Sequence, residues 1–233
     1  MSGLEPSRSQ VKRAGSLVRR ALRDGTTDAA TLVEAISIIR AHRATFQKPL
    51  VTANNGLRSM VSTLGLNGKV SQRLKRMSTI LDKLGREPTL ALDRMQDIGG
   101  CRVVLPSRDE VWRLADRIRE RRPVIAFSDY INHPRNSGYR GVHVIVEYGR
   151  DCVRPVEIQL RTESMHRWAT TVEDLSGGSG INYKRDGSSA VQTFLECYAR
   201  VLEALELGLT LSDTLVAEYD KLFKQAFEQE EAR

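Results

Sequence analysis

The chain has 233 residues, of which 40% are hydrophobic and 28% charged, and its formal net charge is +7. These values exclude a disordered chain and are typical of one soluble globular domain, or of a core domain with helical extensions. The basic excess fits either an ordinary solvated surface or a polyanionic partner such as a nucleotide or RNA, and composition alone does not separate the two.

The cysteines Cys101, Cys152 and Cys197 are odd in number and widely spaced, which argues against a disulfide framework and against a zinc site. We expect free thiols in a reducing compartment. The first ten residues are polar, and no long apolar run follows, so the sequence indicates neither a signal peptide nor a membrane span. We therefore expect a cytoplasmic protein with no membrane partner.

Helical periodicity dominates the first third of the chain. Apolar residues at three- and four-residue spacing predict helices over 9–23, 28–44 and 69–84. The first of these helices carries a basic face that includes Lys12 and Arg13. Pro49 and the cluster Asn54-Asn55-Gly56 predict a break in helical structure.

The middle of the chain changes to short apolar runs, which are typical of strands. Strands are predicted at 101–105, 124–131, 142–148 and 153–160, and a helix at 109–121. The turn at 149–151 predicts that the last two strands form an antiparallel hairpin. By period-two alternation Glu157, Gln159 and Arg161 share one face of the last strand.

The C-terminal part is predicted to be helical. A flexible loop is expected at 176–180, and apolar stripes predict helices over 189–207 and 211–230. We divide the chain into an N-terminal helical region (1–68), a core (69–187) and a C-terminal helical region (188–233).

Two isolated carboxylates suggest a metal site when they are considered together. Taken singly, Asp97 is a typical turn residue before a strand, and Glu157 a typical exposed strand residue. A strand face that bears Glu, Gln and Arg in succession is unusual for a surface, however. If Asp97 lies beside Glu157, the pair suffices for magnesium, which is completed by substrate phosphates and water.

Other polar residues allow two interpretations each. Tyr139, in a polar stretch, is either an incidental surface residue or an exposed ring on which a base stacks, worth about 1–3 kcal/mol. His143 is either a core residue or a phosphate contact, and its strand face favours the second. The basic residues of the predicted helix 69–84 are either a solvated face or a triphosphate site. No glycine-rich P-loop accompanies them, so a Walker-type ATPase is not supported.

Together these motifs resemble the synthetase domain of the RelA/SpoT family of pyrophosphokinases, which includes the small alarmone synthetases. The resemblance covers about residues 70–184 and is carried by these segments: Arg73-Leu74-Lys75 with Ser78 and Lys83, Asp97 to Arg102, Asp129-Tyr130-Ile131 with Pro134, Gly138-Tyr139 with His143, Glu157 to Thr162, Trp168, Glu173 and Tyr183-Lys184. It implies an α+β, nucleotidyltransferase-like fold. Such a fold has a mixed, largely antiparallel central sheet of about five strands flanked by helices, here with N- and C-terminal helical arms.

The resemblance also implies a reaction, in which ATP donates its β,γ-diphosphoryl group to a ribose 3′-hydroxyl and AMP leaves. It implies that Asp97 and Glu157 are catalytic: Asp97 binds Mg²⁺, and Glu157 either helps to bind the metal or activates the acceptor hydroxyl. The residues implied for ATP are Arg73, Lys75, Ser78, Lys83, Arg86 and Arg102. Those implied for the acceptor are Tyr139, His143, Gln159, Arg161 and His166.

Two features depart from many members of the family: Gly99 in place of alanine, and His166 near a position where asparagine is common. Both of them, and the segment Val11 to Gly15, resemble the toxic small alarmone synthetases of toxin–antitoxin and anti-phage systems, several of which modify the 3′-CCA end of tRNA. We therefore expect a translation-inhibiting toxin that uses tRNA as acceptor, binds it through Lys12 and Arg13, and has an antitoxin partner. The alternative is synthesis of (p)ppGpp or ppApp from a free guanine or adenine nucleotide. A non-enzymatic RNA-binding module is disfavoured because both carboxylates are present.

Overall fold

A five-stranded sheet forms the centre of the computed structural model, which describes residues 5–25, 27–179, 183 and 189–227. The strands are β1 (Lys69–Leu74), β2 (Gly99–Leu105), β3 (Val124–Asp129), β4 (Val142–Tyr148) and β5 (Arg154–Thr162). Their spatial order is β1-β2-β5-β4-β3, and only the β2–β5 pair is parallel. The predicted α+β fold with a mixed, largely antiparallel sheet is therefore confirmed, as is the β4–β5 hairpin.

Eight α-helices surround this sheet in the described part of the chain. They are α1 (Arg8–Asp24), α2 (Ala29–Ala44), α3 (Gln47–Thr63), α4 (Met77–Arg86), α5 (Arg108–Arg121), α6 (Glu163–Ser179), α7 (Ala190–Glu206) and α8 (Asp213–Phe227). Local signals fix the ends of α1. Ser7 and Gln10 form a capping box at its start, and Gly25 adopts a left-handed conformation (φ 63°) at its end.

The sheet has one apolar and one polar face, because successive side chains of a strand point to opposite sides. Val142, Val144 and Val146 of β4 are fully buried with Ile158 and Leu160 of β5. Helices α3 and α5 cover this face and form the main core with it. The opposite face therefore remains available for polar side chains.

The N-terminal helices pack against the segment that precedes β2. Val11, Val18 and Ile39 from α1 and α2 join Ile80 of α4 and Ile98 in a second buried cluster. The side chain Nε of Arg43 in α2 also donates a hydrogen bond of 2.6 Å to the carbonyl of Lys75. Helices α1 and α2 thus support the two chain segments on either side of α4.

The C-terminal helices form a third cluster. Trp168 of α6 is buried among residues of α7 and α8, and its Nε1 donates to the carbonyl of Leu195 at 2.9 Å. Within the described residues, no helix combines the length and apolarity needed to cross a bilayer.

Three predictions about secondary structure are wrong. Residues 69–84 were expected to form one helix, but Lys69–Leu74 pairs with β2 as a strand and only Met77–Arg86 is helical. Helix α3 runs through the predicted break at Pro49 and 54–56. Pro49 lies in the first turn, where the backbone N–H has no helical partner to lose. The predicted loop at 176–180 is helical as far as Ser179, and Gly180 lies outside the described residues.

The cysteines differ in burial, and they are therefore expected to differ in thiol reactivity. Burial raises the pKa of the Cys101 thiol to about 12, and its side chain lies in the core beneath α3. Since the thiolate is the reactive form, native Cys101 is expected to resist iodoacetamide at about pH 8. The half-buried Cys152 should be alkylated first. Peptide mass spectrometry after timed alkylation checks this, with guanidinium-unfolded protein as the control in which all three cysteines react. Equal native rates for Cys101 and Cys152 would contradict the packing described here.

Candidate active site

A cleft of about 460 Å³ lies on the polar face of the sheet. It adjoins a smaller recess of about 220 Å³. Five of the lining residues are common to both cavities: Lys83, Asp97, Arg135, His143 and Gln159. The two cavities therefore form one site with two compartments.

Strand register explains how the two predicted carboxylates meet. Gly100 of β2 is paired with Glu157 of β5 in the parallel ladder, and Asp97 lies three residues before Gly100. Both carboxylates line the cleft, and the charge of Asp97 acts on Glu157. The structure thus brings together two acidic residues that are far apart in the sequence.

Asp97 is held by two lysines. Its Oδ2 accepts hydrogen bonds from Nζ of Lys75 at 2.7 Å and of Lys83 at 2.9 Å. Burial would raise the pKa of Asp97, but the two ammonium groups outweigh burial and hold the pKa below its usual value. The carboxyl group is therefore ionised at neutral pH. Its Oδ1 is buried and has no hydrogen-bond partner within the described part of the chain.

The half-buried carboxyl group of Glu157 is also ionised. Burial would raise its pKa, but hydrogen bonds from His143 and Gln159 outweigh burial and lower the pKa. Nδ1 of His143 lies 2.9 Å from Oε1, and Nε2 of Gln159 donates to Oε2 at 2.8 Å. The antiparallel register places His143 of β4 directly opposite Gln159 of β5.

Arg161 places a positive charge at the wall of the recess. The residue is 3% exposed. Its Nη2 donates to Oε1 of Gln159 at 2.8 Å, and Nε and Nη2 donate to the hydroxyl of Tyr139 at 3.2 and 3.0 Å. Its Nη1 is buried without a partner among the described residues. A buried guanidinium with an unused donor is suited to an anionic ligand.

The prediction that the Tyr139 ring is exposed is wrong. The residue is only 6% exposed, and its ring packs edge-on against Trp168 at a centroid distance of 6.0 Å. The preceding Gly138 has φ 89°, and a Cβ there would lie 2.7 Å from the Cβ of Ala199, so the loop is pressed onto α7. Tyr139 reaches the recess through its hydroxyl, which lies 2.5 Å from Nε2 of His143.

All five basic residues predicted for ATP line the two compartments. They are Arg73, Lys83 and Arg102 in the cleft, and Lys75, Lys83 and Arg86 in the recess. Burial and the neighbouring charge of Arg161 lower the pKa of Arg102. Ser78 is exposed on α4 and lines neither cavity, whereas the adjacent Thr79 lines the recess.

One further residue of the site has only a weak signal in the sequence. Arg135 lines both compartments, and its guanidinium lies over the ring of Tyr130 at 4.4 Å. It belongs to the same polar stretch as Tyr139, but a single arginine in a loop is not distinctive by its spacing.

Besides Ser78, three predicted residues lie outside the two compartments. His166 is half-buried on α6, where burial and then the charges of Arg102 and Arg161 lower its pKa. Lys12 and Arg13 are exposed on α1. A surface hollow is lined by Arg8, Ser9, Lys12, Asp93 and Arg94. Arg94 also lines the cleft, so the hollow and the cleft share this one residue.

The donor set is suited to a divalent cation that is shared with a substrate. Among the described residues no three His, Cys, Asp or Glu side chains converge on one point. The ionised Asp97 with its unpartnered buried Oδ1, and Glu157 in the same cleft, provide two hard oxygen ligands. Magnesium commonly takes one or two carboxylates and completes its shell with substrate phosphates and water. The residues therefore fit such an ion when a polyphosphate is bound.

Comparison with known proteins agrees with this geometry. The sequence pattern of a region found in RelA / SpoT proteins matches residues 72–187, about half of the chain. The GTP pyrophosphokinase YjbM of Bacillus subtilis is 34% identical over 128 residues, which are 51% of this chain and 58% of that protein. A GTP pyrophosphokinase family protein from Streptococcus pneumoniae has a similar structure. Its TM-score is 0.60 at 28% identity, covering 75% of this chain and 95% of that one.

The mixed five-stranded sheet is thus the fold that this chain shares with a GTP pyrophosphokinase family protein. The chain belongs to the RelA/SpoT family. It spans only part of the first curated relatives it matches: 58% of the Bacillus protein and 14% of a probable chloroplastic GTP diphosphokinase of Oryza sativa subsp. japonica.

Proposed function

We propose that the protein is an ATP-dependent pyrophosphokinase, which transfers the β,γ-diphosphoryl group of ATP to a ribose 3′-hydroxyl. The observation that carries this proposal is the convergence of two ionised carboxylates, Asp97 and Glu157, in one cleft lined with basic residues. Phosphoryl transfer mainly requires positioning and charge neutralisation, and this combination supplies both.

In this proposal each group of residues has a separate role in binding ATP or in the transfer step. Arg73 and Arg102 hold the adenine, while Lys75, Lys83 and Arg86 contact the phosphates. Glu157 accepts the proton of the 3′-hydroxyl, whose oxygen forms a bond to the β-phosphorus. The bond between that phosphorus and the oxygen bridging to the α-phosphate breaks, and this oxygen leaves with AMP. Mg²⁺ held by Asp97 and Glu157 would neutralise phosphate charge when bound.

We further propose that the acceptor is the 3′-CCA end of tRNA, which would make the protein an inhibitor of translation. The supporting observation is the surface hollow that contains Arg8, Lys12 and Arg94, because Arg94 belongs to both this hollow and the cleft. Asp93 also lines the hollow and pairs with Arg8 at 2.7 Å, so the hollow has an excess of positive charge but is not uniformly basic. Such an excess beside the reaction site suits a polyanion. A toxin of this kind would need an antitoxin protein, and that partner stays a prediction.

A free nucleotide is the second candidate acceptor. The similarity to proteins named GTP pyrophosphokinases favours it, and so does the unused donor of Arg161, which suits a terminal phosphate. The product would then be (p)ppGpp, or ppApp from an adenine nucleotide.

One competition assay separates the two acceptors. The protein is incubated with γ-labelled ATP, Mg²⁺, total tRNA and an equimolar mixture of GDP, GTP and ATP, and the products are resolved by size. We expect label on intact tRNA and its loss after removal of the 3′-terminal adenosine. Label only on mononucleotide products other than the ATP donor would reject the tRNA proposal, and label on neither tRNA nor such products would reject the pyrophosphokinase proposal.

Reversing one charge on α1 should affect the two acceptors differently. Lys12→Glu is expected to lower the rate with tRNA about tenfold at moderate salt, because each lost phosphate contact weakens binding and reduces its salt dependence. Any mononucleotide rate should stay within about twofold. Lys48→Glu is a matched control, since Lys48 is exposed on α3 and lines neither compartment. Equal tRNA rates for the two variants would remove Lys12 from the tRNA-binding surface.

A further inference from the structure

We propose that Tyr139 serves the reaction through its hydroxyl group: it is a positioning residue that fixes the tautomer of His143 and, through His143, the orientation of Glu157. The role of Glu157 in this inference rests on the proposed function. The hydrogen-bond arrangement does not, because it follows from the geometry of the protein alone.

Counting donors and acceptors assigns every hydrogen in the chain of contacts. An ionised carboxylate only accepts, so Nδ1 of His143, 2.9 Å from Glu157, must carry a hydrogen. The oxygen of Tyr139 accepts from Nε and Nη2 of Arg161, at 3.2 and 3.0 Å, which occupies both of its acceptor positions.

The tyrosine hydrogen then has one partner left. Nε2 of His143 lies 2.5 Å from the Tyr139 oxygen and must accept that hydrogen. Donation therefore runs from Arg161 to Tyr139, from Tyr139 to His143 and from His143 to Glu157. This hydrogen-bond order places a hydrogen on Nδ1 and leaves Nε2 as the acceptor, so a donor is directed at the carboxylate.

Burial makes this arrangement depend on the hydroxyl. Tyr139 and Arg161 are 6% and 3% exposed, and the Tyr139 ring also packs edge-on against His143 at a centroid distance of 5.5 Å. Where solvent access is this limited, removal of the hydroxyl leaves Nε2 of His143 without its donor. The ring then gains freedom to flip or to carry its hydrogen on Nε2, and Glu157 loses a fixed partner.

The first test removes the hydroxyl and keeps the ring. Tyr139→Phe is expected to lower kcat about tenfold, as for the loss of one buried hydrogen bond, and to change the KM for ATP less than about twofold. Tyr148→Phe is the matched control. Tyr148 is 1% exposed, but it lies on the opposite face of the sheet, outside both compartments, and its variant should keep the wild-type kcat.

The second test reads the tautomer directly. Nitrogen-15 NMR of histidine-labelled protein without substrates resolves the ring nitrogens of the four histidines, and His143→Asn assigns the His143 signals. The wild type should show the Nδ1–H tautomer alone, and Tyr139→Phe should add the second tautomer. A wild-type Nε2–H signal, or an unchanged His143 spectrum in Tyr139→Phe, would overturn the proposal whatever happens to kcat.

A double-mutant cycle covers the case in which Tyr139→Phe perturbs the fold. Asparagine at position 143 offers an amide donor and has no tautomers, so adding Tyr139→Phe to His143→Asn should cost less than about twofold in kcat. A full tenfold loss in that background would also overturn the proposal. Because the NMR experiment uses no substrate, a protein that transfers nothing but shows the expected tautomers rejects only the proposed function.

Discussion

Asp97→Asn is expected to lower the rate of diphosphoryl transfer at least about a thousandfold, which corresponds to about 4 kcal/mol. The substitution removes a charge that faces both the phosphates and any bound cation. It also leaves Lys75 and Lys83 without the carboxylate that they now share at 2.7 and 2.9 Å. The rate of AMP release with saturating ATP and acceptor measures this loss.

The same substitution is expected to destabilise the fold, so activity and stability must be measured together. Lys75 is 7% exposed, and removing one partner of a buried ion pair typically costs about 3–5 kcal/mol. Asp82→Asn is the matched control, because Asp82 pairs with Arg86 at the surface, where such pairs contribute about 0–1 kcal/mol. A folded Asp97→Asn protein with wild-type transfer would contradict the assignment of Asp97.

Glu157→Gln is expected to reduce kcat about 10²- to 10⁴-fold, while the KM for ATP changes only a few-fold. Glutamine keeps the size of the side chain but cannot accept the proton of the acceptor hydroxyl. It also has one acceptor oxygen where the carboxylate has two, so it cannot accept from both His143 and Gln159 as Glu157 does at 2.9 and 2.8 Å.

Glu147→Gln provides the matched control, since Glu147 is exposed on the neighbouring strand β4 and lines neither compartment. Its kcat should equal that of the wild type. If Glu157→Gln kept a wild-type kcat but raised the KM for the acceptor, Glu157 would be a binding residue and another group would take the proton.

Period-two alternation made part of this site predictable. It placed Glu157, Gln159 and Arg161 on one face of β5 and His143 on the polar face of β4, and the strand register confirms that placement. A face so defined needs only local sequence, because the pleat of a strand alternates regardless of what packs above it.

The prediction that Asp97 and Glu157 lie in one site had a different basis. No local pattern specifies that β2 lies parallel to β5, so the resemblance to a known family implied what periodicity could not. The two lysines on Asp97 likewise depend on how α4 packs against the start of β2.

Tertiary structure also decided where local patterns misled. Residues 69–74 have helix-compatible spacing, yet pairing with β2 on the edge of the sheet outweighs that weak preference. Tyr139 has polar neighbours in sequence and was expected to be exposed, but the tight approach of Gly138 to Ala199 on α7 draws the ring inward. Contacts between distant segments leave no signal in the spacing of one segment.

Stoichiometry of the released nucleotide tests the central proposal most directly. The protein is given α-labelled and γ-labelled ATP in parallel, with an acceptor that bears a free 3′-hydroxyl, and AMP, ADP and labelled acceptor are counted. The account predicts one AMP for each acceptor modified, γ-label on the acceptor and no α-label there. Release of ADP, or AMP formed without any change to the acceptor, would contradict diphosphoryl transfer in this cleft.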